Sequence, residues 1–205
     1  MLKNLGLTAF IDQLESSEPV PGGGSVAALS SALASALSAM VANLTVGKKN
    51  YESVDGIMSE IAGKMNAHKL SFIDLIDKDA SSFDSVMKAF KLPKETEEEK
   101  AERTMQIQEG MKYAASVPLE VAEKTVLLFD DIAELVKLGN KNAQTDALVA
   151  AMMARTAILS ALYNVKINLG SIKDEAYVAD MTNKVKVLEA LAVAREAEIL
   201  ALSDL

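Results

Sequence analysis

The sequence predicts an all-α fold, a multihelical bundle built around one buried, Ala/Ser-rich central helix. Three observations carry this. Hydrophobic residues make up 50% of the chain but aromatics only 4%, and a chain rich in Ala and Leu and poor in aromatics favours helix over sheet. Apolar residues recur at helical spacing over long stretches. No strong strand pattern, long linker or clear internal repeat interrupts them, so residues 1–205 read as a single domain.

Taken in order, residues 8–15 form a short helix. A charge-free run follows, from Pro19 to Gly47, in which residues 25–46 read as the central helix. It is long enough to cross a bilayer, but its Ser, Asn and Thr content and its unequal faces point to burial in a bundle. At 100° per residue, Leu29, Leu33, Leu37, Met40 and Leu44 form a bulky row. Ala28, Ser31, Ser35, Ser38 and Ala42 form a smooth one, roughly opposite. The bulky row is expected to fill a core, and the smooth row to admit another backbone or a ligand. Residues 53–90 form a long helix, ended by Leu92-Pro93-Lys94-Glu95. Thr96 and Glu99 have capping-box spacing for the next helix. Pro118 is expected to open a further helix that ends at Gly139. Another covers residues 145–168, and Ser171 with Asp174 starts the last.

Composition narrows the function. The formal net charge is −8 and no basic tract offsets it, which argues against nucleic acid or an anionic membrane as partner. There is no Cys and one His, His68, so neither a thiolate nucleophile nor a His-based metal site is expected. Residues 1–18 are mixed and carry acids, unlike a secretory signal. A cytoplasmic protein without a membrane span is the expectation.

Candidate site residues come from three places. Pro21-Gly22-Gly23-Gly24-Ser25 precedes the central helix. It is not a Walker A loop, because no GK[ST] follows at the required spacing, nor a dinucleotide fingerprint, because no strand precedes it. Read alone it is most simply a turn. Glycines before a helix also allow close approach to the helix N-terminus, where unpaired amides favour anions. Lys48 and Lys49, at the far end of the same helix, can meet an anion or pair with the helix dipole. In the long helix, Val54, Met58, Ile61, Met65, Phe72, Ile76, Phe83, Met87 and Phe90 share one stripe, and Asp79 falls in its middle. Asp74, Asp77 and Asp84 point away. A core-facing carboxylate is costly unless paired, and burial raises its pKa toward the range useful for proton transfer; a structural, capped Asp is the alternative. His68 lies about three turns away and reads as a packed histidine. In the helix from residue 145, Asp146, Ala150, Met153, Ala157, Ala161, Asn164 and Asn168 share a line. Asp146 and Asn168 can serve the helix ends, whereas Asn164 has no such role and amides read heterocyclic edges well. Small-residue stripes, a Gly loop, one buried acid and several amides suit a flat, polar, anionic ligand.

The segments PGGGSVAAL, MVANLTVGKKNY, LIDKDASSFDSVMKAFKLPKETEEEK, SVPLEVAE, GNKNAQTD and YNVKINL together resemble the formiminotetrahydrofolate cyclodeaminase / methenyltetrahydrofolate cyclohydrolase family, in order and over nearly the whole chain. The resemblance implies an all-helical homodimer acting on one-carbon-substituted tetrahydrofolate with no metal or cofactor. It places the catalytic aspartate at Asp79. It implies that Gly22, Gly23, Gly24 and Ser25, with Lys48 and Lys49, handle the anionic glutamate tail or a carbonyl. Asn43, Asn164, Asn168 and Asp146 would then read the pterin. Cyclodeaminase is the first expectation and cyclohydrolase the second. A non-catalytic folate-binding helical dimer is the alternative class.

Overall fold

A computed structural model describes residues 1–203 and 205. Seven α-helices follow one another: α1 (Leu7–Glu15), α2 (Gly23–Asn43), α3 (Asp55–Phe90), α4 (Glu97–Val126), α5 (Leu128–Leu138), α6 (Gln144–Leu169) and α7 (Glu175–Leu200). Among the described residues there is no strand. α2 runs through the middle with α3 and α6 packed along it. α4 bridges α3 and α6, and α7 covers α6.

The smooth row of α2 admits neighbouring backbones as expected, whereas the bulky row divides: Leu29 and Leu37 pack against the core and the rest of the row is left outside. Ala28, Ser31, Ser35, Ser38 and Ala42 are fully buried, whereas Leu33, Met40 and Leu44 are 46%, 38% and 49% exposed. The cause is crowding. A helix enclosed by two long neighbours needs small side chains where their backbones come close. The buried hydroxyls are satisfied locally. Ser35 and Ser38 donate to the carbonyls of Ser31 and Ala34, at 3.0 and 2.8 Å, and Ser31 pairs with Thr125 of α4 at 2.7 Å. Buried polarity therefore costs little here. By length and composition alone, Gly23–Asn43 and Lys141–Leu169 could each cross a membrane; in this fold they form the centre of the bundle.

Element ends differ from the sequence reading in instructive places. α2 starts inside the glycine run, with Gly22 as its N-cap, and stops at Asn43. The capping box forms as expected: Glu99 N donates to Thr96 Oγ1 and Thr96 N to Glu99 Oε2, both at 3.1 Å. Asp174, and not Ser171, caps α7 by accepting from Tyr177 N at 3.0 Å. Pro118 does not begin a helix; it lies inside α4. Proline there lacks the N–H that would bond the carbonyl of Ala114, and that carbonyl instead accepts from Asn168 Nδ2 of α6 at 3.0 Å. The break falls at Leu127, between α4 and α5.

The stripe on α3 also divides. Met58, Ile61, Met65, Phe72 and Ile76 are buried in the core. Beyond Asp79 the stripe emerges, and Phe83, Met87 and Phe90 are partly exposed along the wall of a cavity.

Candidate active site

The N-terminus of α2, the second half of α3, the middle of α4 and the last turns of α6 enclose a cavity of about 390 Å³. Asp79 supplies its one acidic side chain, and no Lys, Arg or His is part of the lining. Phe83, Met87 and Phe90 make an apolar wall, continued by Met111 of α4 and Ile167 of α6. Asn164, Asn168 and Ser82 add neutral polar groups. A slot with one carboxylate, two carboxamides and long apolar walls suits a flat heteroaromatic compound with a proton to move.

The glycines serve the acid directly. A Cβ on Gly24 would overlap the Asp79 carboxyl group, and one on Gly23 would stand 3.0 Å from Asn164 Nδ2. Gly22 differs, since a Cβ there would meet only the Pro19 carbonyl oxygen, at an ordinary 3.5 Å. Two of the three glycines are thus needed because side chains from α3 and α6 press against the helix where it begins.

Ser25, in the first turn of α2, donates its hydroxyl to Asp79 Oδ2 at 2.9 Å. Burial pushes the Asp79 carboxyl above its ordinary value, while the Ser25 hydroxyl and backbone amide pull it back by favouring the ionised form. The positive end of the α2 dipole acts in the same direction as Ser25. The amides of α6 are held by backbone. Asn164 Nδ2 donates to Ser160 O at 2.9 Å. Asn168 Nδ2 donates to both Asn164 O, at 2.9 Å, and Ala114 O, at 3.0 Å. With its nitrogen so engaged, Asn168 has only Oδ1, an acceptor, left for a ligand.

Asp79, Gly22, Gly23, Gly24, Ser25, Asn164 and Asn168 therefore come together. Asn43, Lys48, Lys49 and Asp146 do not join them within the chain. Asn43 closes the far end of α2, which at 1.5 Å per residue is about 30 Å from Gly23. It lines a separate shallow groove with Met40, Asn66 and Lys69. Lys48 lies over the Tyr51 ring at 5.9 Å in the turns beyond, and Lys49 is exposed beside it. Asp146 is in the first turn of α6. That end is tied to the C-terminal end of α2 by Asn140, whose Nδ2 donates to Leu44 O at 2.9 Å. Helical periodicity puts Asp146 on the line of Asn164 and Asn168, but residues on one line need not be neighbours along the axis. His68 stacks on Phe72 at 6.1 Å, away from the cavity; burial lowers its pKa. Ser82 and the outer walls were missed as site residues. The signal for the walls was present in the apolar stripe running on past Asp79 to the end of α3.

The Formiminotransferase-cyclodeaminase family model matches residues 6–187. The chain belongs to this family. It is 40% identical over 195 residues to a methenyltetrahydrofolate cyclohydrolase of Methylorubrum extorquens, covering 93% of this chain and 90% of that protein. It is 36% identical over 182 residues to the formimidoyltransferase-cyclodeaminase of Sus scrofa, covering 89% of this chain but 34% of that protein. The chain thus spans about a third of the length of that bifunctional relative. A crystal structure of formiminotetrahydrofolate cyclodeaminase from Thermotoga maritima superposes with a TM-score of 0.88 at 34% identity, over 98% of this chain and 97% of that one. The all-α bundle is thereby shared with a solved member of the family.

The glycine geometry makes a prediction. Gly24→Ala should destabilise the fold by about 1–3 kcal/mol, the usual cost of overpacking. Gly22→Ala, where the Cβ has room, should cost less, about 0.5–1 kcal/mol, through the poorer N-cap alone. Urea unfolding of the two variants measures the contrast.

Proposed function

We propose that this protein is a folate one-carbon enzyme that converts 5-formiminotetrahydrofolate to 5,10-methenyltetrahydrofolate and ammonia. The observation that carries the reading is Asp79, a half-buried carboxylate at the first turn of α2, alone in charge within a cavity of amides and apolar walls. With the formimino group beside Asp79, the carboxylate accepts the N10 proton as N10 bonds to the formimino carbon. It returns that proton to the exocyclic nitrogen of the tetrahedral intermediate. With one further proton from solvent the C–N bond breaks, ammonia leaves, and the methenyl cation remains. The pterin lies against the α6 amides, where the acceptor of Asn168 meets its N–H groups. The proposed steps use no metal and no cofactor.

A second reading has its own support. The Methylorubrum extorquens relative, similar over 90% of its length, is a methenyltetrahydrofolate cyclohydrolase. In that direction Asp79 takes a proton from water as its oxygen bonds to the methenyl carbon, then delivers it to N5 as the C–N5 bond breaks, leaving the 10-formyl compound. The other water proton goes to solvent.

This reading includes a homodimer in the cytoplasm. The exposed row Leu33, Met40 and Leu44 supports a second copy packed on α2, since contiguous bulky apolar surface marks an interaction site. Sedimentation equilibrium without detergent should give twice the chain mass; a monomer would remove the dimer from the reading.

Two measurements test the chemistry. Asp79→Asn should lower kcat by about 100-fold or more, the usual worth of a general acid–base group, with the helical circular dichroism unchanged. Methenyl absorbance rising together with ammonia identifies the deaminase, and loss of added methenyltetrahydrofolate identifies the hydrolase. Near-wild-type turnover by Asp79→Asn would refute the role of Asp79. The pH profile gives the second test. The base must be ionised and its pKa is raised, so activity should be lost as pH falls through a value above the ordinary aspartate range. Ser25→Ala removes a donor that favours the ionised form. It should move this acid limb to higher pH.

A further inference from the structure

The cavity lacks a cation, yet the proposed substrate ends in a carboxylate-bearing glutamate. Lys48 and Lys49 stand at the wrong end of the bundle to meet it. The α3 wall shows where it goes. From Asp79 the row Phe83, Met87, Phe90 runs outward to the end of α3, about 16 Å at 1.5 Å per residue. On α4, Met111 and Ala114 line the cavity. Arg103 lies on their side of that helix, since positions 103, 107, 111 and 114 follow steps of four, four and three. It thus meets the end of the α3 row from across the helix pair.

The Arg103 guanidinium sits over the Phe90 ring, 5.7 Å from its centroid. Nε and Nη2 donate to the Phe90 carbonyl oxygen at 3.3 and 3.2 Å. Most of its N–H donors are left for another acceptor. Among the described residues no carboxylate lies within 4.0 Å of it, although Lys100, one turn earlier, is paired with Glu97 at 2.7 Å. Glu99, also one turn earlier, is turned toward its own backbone and accepts from the amides of Glu95 and Thr96. Arg103 borders a groove beside the cavity that Glu98, Glu99 and Glu102 also line, none of them paired with it, so the guanidinium is held by one face and keeps donors for an incoming carboxylate.

We propose that Arg103 binds a carboxylate of the folate glutamate tail, and that Phe83, Met87 and Phe90 carry the p-aminobenzoyl ring between Arg103 and Asp79. An arm of one aromatic ring, an amide and a glutamate, extended from N10, is comparable in length to this wall. The inference rests on the folate reading above and adds a tail subsite to it.

The test compares two substrates, the glutamate-bearing folate and its tetrahydropteroate counterpart without glutamate. Arg103→Met keeps the stem and removes the charge. It should raise KM for the glutamate-bearing substrate by about tenfold or more, the worth of a charge-assisted hydrogen bond. kcat should stay within about twofold, and kinetics on the pteroate substrate should be unchanged, which also reports a folded variant. Arg103→Lys should recover part of the loss, and it carries the comparison if Arg103→Met does not fold. An unchanged KM on the glutamate-bearing substrate overturns the proposal. So does an equal loss on both substrates, which would mark Arg103 as only a cap for the end of α3. Wild-type protein that turns over neither substrate in either assay overturns the folate reading, and the tail subsite falls with it. Active wild type with an indifferent Arg103→Met overturns the subsite alone.

Discussion

At the start of α2 the Asp79 carboxylate occupies the volume that a side chain on residue 24 would need. This close approach sets the relation between the two helices most responsible for the cavity. It fixes how near α3 lies to α2 and aims the first turn of α2 at the acid. It also delivers the Ser25 hydroxyl to Oδ2. The same approach explains why the carboxyl is tolerable at all. Burial opposes its charge, and hydroxyl, amide and helix dipole together offset part of that opposition. A larger residue at position 24 would loosen each of these relations at once.

Much of this was legible in the chain, for identifiable reasons. Asp79 interrupts an apolar stripe, and an acid in such a stripe is an anomaly whatever surrounds it. The glycine run signalled that something comes close, although not that the visitors are the side chains of Asp79 and Asn164. Most helices were plain from periodicity and caps, as with Thr96 and Glu99, although Pro118 reads as a helix start and lies inside α4. Less legible was anything that depends on how many neighbours a helix has. The leucines of α2 look like core, and its serines like a face for another backbone or a ligand. With long helices on two sides, the small residues became the core, Leu29 and Leu37 reached only its edge, and Leu33, Met40 and Leu44 were left outside. Position along an axis was equally hidden. Asp146 and Asn164 share a line on α6, but about 27 Å of helix separates them.

The two ends of the bundle divide the labour by chemistry. The Asp79 end gathers an acid, amides and apolar walls around one enclosed space. The other end carries Lys48, Lys49 and a shallower groove with Asn43 and Lys69. Against the net negative charge of the whole chain, Arg103 on α4 forms no ion pair among the described residues, whereas Arg195 bridges Asp130 and Glu198.

Pro118 has an effect that reaches beyond its own helix. By withholding an N–H it leaves the Ala114 carbonyl oxygen open, and Asn168 closes the gap from α6. Its other neighbour, the Asn164 carbonyl, is an acceptor as well. Flanked by two oxygens, the amide can present only its nitrogen to them and must turn its oxygen to the open side. An imino acid in one helix thus decides which pole of a dipole in another confronts a guest, and so what hydrogen-bonding pattern that guest must bring.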